Sequence, residues 1–425
     1  MTRSLSVFPT STLAEHAKIQ PGFAFKSDRF TDNVNDVPLV KGENVQQGYI
    51  DWVAAKYWPA LDAAAYRDYR LDLGDIVLAM DRPWVSAGLK WAYIKPNDPP
   101  SLLVQRVSRI RAKPSLDQTY LRCLISSNYF SSYIQPIVTG VNVPHISGRQ
   151  IGSFKIPVPA IDVQQKIAAS IAAYDDLIEN NRRRIALLER MAEQLYREWF
   201  VRFRFPGYRQ TKFEKGFPKG WSLKPLSKVA CINPTERPEA SEAKPYVGME
   251  DLSLTSMYFA SKEQRRKNAG SKFRNRDVLF PRITPSLENG KRGFVMGLQE
   301  DEVAIGSTEF IVLRERLIGA EQIYFLTCSP GLRTHAEQSM VGASGRQRVQ
   351  EKCFDSFMVA VPPKALSERF AEVIQPFFGQ VFILEKENAS LKRTRDLLLP
   401  RLISGKLRVD DLDIQFPPSM QAERA

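Results

Sequence analysis

Displaced by 203 residues, this chain overlies itself: the stretch from Val138 onward matches the stretch from Val341 without a gap. Ser153-Phe154 falls on Ser356-Phe357, Val158-Pro159 on Val361-Pro362, and Ala168 on Ala371. Further along, Ile171 meets Ile374, Leu188 meets Leu391, and Leu195 meets Leu398. Few letters are identical, so the order of segments carries the argument. LDLGDIVLAM (Leu71 to Met80) is echoed by FRNRDVLFPRI (Phe273 to Ile283), and TYLRCLISS by IYFLTCSP. A period this long marks a copied structural block. The chain must therefore fold as two similar halves related by an internal pseudo-two-fold repeat.

Each half reads as short β-runs and turns, then a proline-marked exit, then a long helix. The exits are KIPVPAID and VAVPPKAL. Proline is tolerated before a helix and costly within one, so helices should begin near Asp162 and Ala365. That makes an α/β (α+β) chain. The expected domains are residues 1–157 and 221–360, each followed by a spacer helix, over 158–205 and 361–407. Between the halves, VRFRFPGYRQTKFEKGFPKGW carries six basic residues against one acid, and its core, 206–220, is a linker by composition. The tail, 408–425, is expected to be disordered.

The helix that includes LIENNRRRIALLERMAEQLYREWF lies mid-chain, and its spacing says why. Ile171, Tyr174, Ile178, Asn181, Ile185, Leu188, Ala192, Leu195 and Trp199 follow at alternating steps of three and four. The second helix repeats this with Ile374, Phe377, Val381, Leu384, Asn388, Leu391, Arg395, Leu398 and Leu402. These are coiled-coil seams. Set antiparallel with Asn181 facing Asn388, they pair Ile185 with Leu384, Leu188 with Val381, and Tyr174 with Arg395 in cation–π reach. A buried asparagine costs stability but fixes register, because a slip strands its amide against an apolar layer. The two amides are expected to hydrogen-bond. The other reading of each seam is packing on its own domain.

Charge narrows the partners. Sixty Lys+Arg against 47 Asp+Glu leave a formal +13, which favours a polyanion such as double-stranded DNA. The four cysteines form no CxxC pair and there are three histidines, so neither a zinc site nor a disulfide framework is expected. No signal-like start and no apolar run of membrane length occur, so a cytoplasmic protein with no membrane partner is expected.

With these features the chain resembles the specificity subunit of type I restriction-modification systems. The resemblance runs from GFAFKSDRF to LLLPRLISGKL and is most specific in IPVPAIDVQQKIAASIAAYDDLIENNRRRIALLERMAEQLYREWF and its second-half partner. It implies two target-recognition domains, each reading half of a bipartite asymmetric site, joined by two long antiparallel helices. It also implies docking of two methyltransferase subunits and a restriction subunit with translocase activity. S-adenosylmethionine, ATP and Mg would then belong to those partners, and no cofactor to this chain.

Catalytic signatures are absent from the letters. NPTE (Asn233 to Glu236) lacks the second proline and aromatic of an adenine-methyltransferase motif, and ENGKRG (Glu288 to Gly293) is no phosphate loop. The expectation is a non-enzymatic subunit. A self-contained methyltransferase or nuclease, and a scaffold that never touches DNA, are the alternatives. Candidate DNA contacts are Arg82, Lys90, Arg282, Asn289, Lys291 and Arg292, in the loops after the echoed strands. A second pair of loops adds Asn142, His145, Arg149, Gln150, Arg346, Gln347 and Arg348. Arginine to guanine, and asparagine or glutamine to adenine, are the usual bidentate readers. Histidine in such a loop is more often internally bonded, and any one of these charges could simply be solvated.

Overall fold

The computed structural model describes residues 7–424 except 86–87, 139–143, 239–241, 267–268 and 344–346, with backbone alone for 422–424. The chain divides into two compact units: residues 1–179 with 390–425, and 180–389. Both long helices, Ile161–Tyr196 and Lys364–Ile403, therefore contribute to both units.

Each unit is built on the same plan. In the first, a four-stranded antiparallel sheet runs in the order Ala17–Pro21, Val107–Ala112, Ile76–Ala79, Trp91–Tyr93. In the second, the order is Ala230–Ile232, Phe310–Glu315, Val278–Pro281, Gly293–Phe294. A parallel pair lies beside each sheet, Val37–Val40 with Leu102–Leu103 and Lys244–Val247 with Ala304–Gly306. Each unit also pairs its entry strand with the strand before its long helix: Thr10–Thr12 with Lys155–Pro157, and Ser222–Pro225 with Met358–Val361. Helices Gln118–Ser126 and Ala320–Cys328 fill equivalent places in the two cores. The fold is thus α/β (α+β), two similar domains joined by two long helices.

The acid that leads each echoed strand has a structural task. Asp75, 2% exposed, accepts from Arg111 Nε and Nη2 at 2.7 Å and caps the turn through the Asp72 amide at 2.8 Å. Asp277, 1% exposed, does the same with Arg314 at 2.7 Å and the Arg274 amide at 2.8 Å. A buried carboxylate persists only when paired and hydrogen-bonded, so the acid and its arginine recur together.

The long helices run antiparallel in each unit. In the second, Asn181 bonds Glu387 while Trp199 meets Phe370, with ring centroids 5.5 Å apart. In the first, Asp175 takes Arg395 at 2.6 Å and Lys166 donates to the Asp410 carbonyl at 2.5 Å. Two expectations are corrected here. Asn181 Nδ2 donates to Glu387 Oε2 at 3.1 Å, not to Asn388, because a carboxylate is the stronger acceptor. Asn388 is 1% exposed, and neither of its amide atoms has a partner among the described residues. Arg395 likewise goes to Asp175 and to Asp396 at 2.8 Å, not over Tyr174.

The linker and the tail both carry regular structure. The basic linker forms a hairpin, Phe213–Glu214 with Phe217–Pro218, braced by Phe203 and Phe205 on Trp221 at 5.2 and 5.7 Å. In place of disorder, the tail puts Val409 and Met420 into the first unit's core with Ile171 and Leu402, and residues Pro418–Arg424 are helical. Its apolar residues outweigh its charges once a core face is available to them.

Glu189 ties the central helix to the second unit, accepting from Ser256 Oγ at 3.0 Å and the Met257 amide at 2.6 Å. Burial pushes its carboxyl above the ordinary value, against the pull of those two bonds. A raised folded pKa means the folded state holds the proton more tightly, so this group's contribution is present at low pH and lost as pH rises through the folded value. Glu189→Gln keeps one acceptor oxygen and removes the charge. Thermal unfolding across pH should show the parent losing stability relative to the variant from the ordinary carboxylate range upward. A gap that does not widen with pH would refute the role.

Candidate nucleic-acid interface

In each half three distant segments converge where the echoed strand ends. In the first, the Met80 amide donates to the Arg106 carbonyl at 2.8 Å, and the Ile146 amide to the Met80 carbonyl at 2.9 Å. The Arg82 amide donates to the Pro144 carbonyl at 2.8 Å, and Asp81 forms a β-bridge with His145. The second half repeats this 202–203 residues on. The Arg282 amide donates to the Glu309 carbonyl at 2.9 Å and the Val349 amide to the Arg282 carbonyl at 2.8 Å. The Thr284 amide reaches the Gln347 carbonyl at 3.3 Å, and Ile283 bridges to Arg348. The post-strand loop and the later loop singled out in the sequence are thus one surface in each half.

An ion-pair latch closes each convergence, and the two differ in polarity. In the first half Asp81 takes both His145 Nδ1 and Arg106 Nη1. Burial alone would raise the Asp81 carboxyl, but those bonds outweigh it and hold it below its ordinary value. In the second half the acid is Glu309, at the position equivalent to Arg106, and it takes Arg348, at the position equivalent to His145. Arg348 holds the Glu309 carboxyl below its ordinary range.

The candidate contacts separate on this surface. Arg82, Arg149 and Asn289 are exposed, and Gln347 is half-buried. Arg82 also holds a left-handed backbone, φ +43°, a conformation side chains other than glycine rarely adopt. His145 and Arg348 are partly exposed within the latches. Five others are spent inside the fold. Lys90, 8% exposed, donates to the Gly42 carbonyl, and burial lowers its pKa. Gln150 caps its own helix, accepting from the Ser147 amide at 2.8 Å and donating to the Ile137 carbonyl at 2.8 Å. Arg282 clamps Glu351 at 3.4 Å and the Val349 carbonyl at 3.2 Å. Lys291 donates to the Met249 carbonyl at 2.8 Å, and Arg292 to the Gly290 carbonyl at 2.8 Å. Satisfying loop carbonyls is what these donors do, which a polar loop sequence does not distinguish from a free head group. Asn142 and Arg346 lie outside the described residues.

The string nearest to a methyltransferase motif is a brace. Asn233 accepts from the Val312 amide at 2.9 Å, and Glu236 holds Arg274 and Arg314 at 2.7 Å each. Asn233, Glu236, Lys272 and Arg282 line a groove of about 310 Å³ in the second unit. Among the described residues no group of three or more His, Cys, Asp or Glu could hold a metal ion. No described helix is long and apolar enough to cross a membrane.

Comparison with known proteins points one way. Residues 8–190 match the family model described as the type I restriction modification DNA specificity domain. The specificity subunit of type I restriction enzyme MjaIX, from Methanocaldococcus jannaschii, is 25% identical over 326 residues, covering 72% of this chain and 73% of that protein. The MjaVIII specificity subunit of the same organism is 32% identical over 184 residues, 43% of each chain. Among solved structures, the S subunit of a type I restriction-modification system from M. genitalium shares the fold, with a TM-score of 0.55 at 13% identity. That match covers 95% of this chain and 98% of the other.

Proposed function

We propose that the chain belongs to the type I restriction-modification specificity-subunit family, which its similarity to such subunits supports. It is the non-catalytic subunit of such a system, the part that recognises DNA sequence. Each recognition domain, over 1–157 and 221–360, reads one half of a bipartite site through its converged loops. The helices set the gap and dock two methyltransferase subunits, and a restriction subunit with translocase activity completes the complex. S-adenosylmethionine, ATP and Mg act on those partners, in the cytoplasm. The observation that carries this reading is the repeated convergence, which gives each half one equivalent surface bearing exposed polar residues. Because the residues at equivalent positions differ, the half-sites differ.

The test uses the purified chain alone. It should bind duplex DNA with an affinity that falls log-linearly with salt, at a slope of about −0.9 per phosphate contacted. It should neither methylate nor cleave, and methylation should appear when a methyltransferase subunit is added. DNA binding absent at every salt concentration favours the scaffold reading. Methylation by the chain alone favours an enzyme.

A further inference from the structure

Resting on the reading above, we propose that Arg348 reads a guanine in the second half-site and that Glu309 is the positioning residue that aims it. Arg348 Nε lies 3.0 and 2.9 Å from the two Glu309 carboxylate oxygens, and Nη2 lies 2.7 Å from one of them. This pairing consumes the side edge of the guanidinium. A guanidinium carries five N–H groups in one plane. Its end edge, one N–H from each of Nη1 and Nη2, carries no bond to any described residue and is the fork that matches guanine O6 and N7. The Arg348 side chain is 48% exposed while that of Glu309 is 20% exposed, so the reader is accessible and its brace is recessed.

The backbone is held as firmly as the side chain. Arg348 exchanges both hydrogen bonds with Val341, at 3.0 and 3.1 Å, and bridges to Ile283. A side chain already fixed in rotamer loses less entropy on binding, so the bidentate contact keeps more of its energy. The Glu309 carboxyl stays ionised, since its arginine holds it below the ordinary range. In the first half the equivalent position carries His145, paired to Asp81, while Arg106 stands where Glu309 does. One scaffold position thus presents two different donors, and the two half-sites should differ at the base pair it faces.

The test uses the full chain assembled with its methyltransferase subunits and duplexes that each carry one base-pair substitution. Arg348→Ala should lose discrimination at one G·C pair of the second half-site, by roughly 5- to 150-fold. Arg348→Lys should behave likewise at that pair, because an ammonium cannot make the planar two-bond contact. Glu309→Gln should relax the same pair by a smaller factor. Discrimination across the first half-site should be unchanged in all three, which also shows that the complex is folded. Uniform weakening on every duplex, with a shallower salt slope, would make Arg348 a phosphate contact and overturn the proposal. So would an effect of Glu309→Gln at other pairs or at none. A parallel arm exchanges residues 221–360 for those of another family member. If that exchange alters the second half-site while the Arg348 variants alter nothing, this inference alone fails. If the exchange alters no half-site, the underlying reading fails.

Discussion

Replacing residues 1–157 with the same segment of a type I specificity subunit should change one half-site completely and leave the other untouched. The expectation follows from the duplicated architecture: each half closes its own sheet, its own ribbon and its own convergence of loops. Each wrong base pair costs about 1–3 kcal/mol, so a half-site of three altered pairs is rejected by roughly 10²-fold or more. The second half-site should be read with unchanged affinity per base pair. Changes in both half-sites, or loss of all reading from a chain that still folds and assembles, would contradict the modular account.

The second large effect is expected at Asn388. Its amide is buried in the helix seam with neither atom bonded to a described residue, and Leu384 and Val381 lie on the same helix. Leaving such a group unsatisfied costs about 1–3 kcal/mol, and Asn388→Leu removes that cost while adding apolar burial. For a unit of this size, about 2 kcal/mol corresponds to a rise in Tm of roughly 4–8 °C. Asn181→Leu should go the other way by up to about 1 kcal/mol, since it forfeits the bond to Glu387. We further expect Asn388→Leu to loosen register, so that DNA with its half-sites one base pair closer or farther is better accepted. A variant destabilised by more than about 1 kcal/mol would mean the amide is bonded in solution. A stabilised variant with unchanged spacing preference would remove the register role.

The repeat is legible because it lies in the order of segments, and the structure adds that Asp75 with Arg111 recurs as Asp277 with Arg314. The antiparallel helices were legible because a three-four spacing defines a buried stripe whatever surrounds it. What the stripe does not contain is competition from its flanks. Glu387 sits next to Asn388 in the chain, and its carboxylate takes the Asn181 amide.

The surface proposed for recognition is only partly legible. Both pairs of loops were singled out, yet Asp81, Arg106 and Glu309 were missed. Their partners lie 25, 64 and 39 residues away in the chain, and the two halves exchange the positions of acid and base. The available signal was positional: Asp81 directly follows the strand Ile76–Ala79 and Met80, and Glu309 directly precedes the strand Phe310–Glu315. Lys90, Gln150, Arg282, Lys291 and Arg292 have internal partners that the sequence does not reveal, for a related reason. Their donors satisfy backbone carbonyls that the folded loops would otherwise strand, and only the loop's conformation reveals those carbonyls.

On the reading proposed above, one chain carries two unlike readers and no chemistry of its own. The most direct test maps methylated bases in DNA from cells that carry the chain with a methyltransferase subunit, beside cells carrying the chimaera exchanged at 1–157. The parent should mark one asymmetric site of two unlike blocks with a fixed unread gap. The chimaera should keep one block and the gap and acquire a new other block. A single contiguous or palindromic site, or a chimaera whose two blocks both change, would contradict the account.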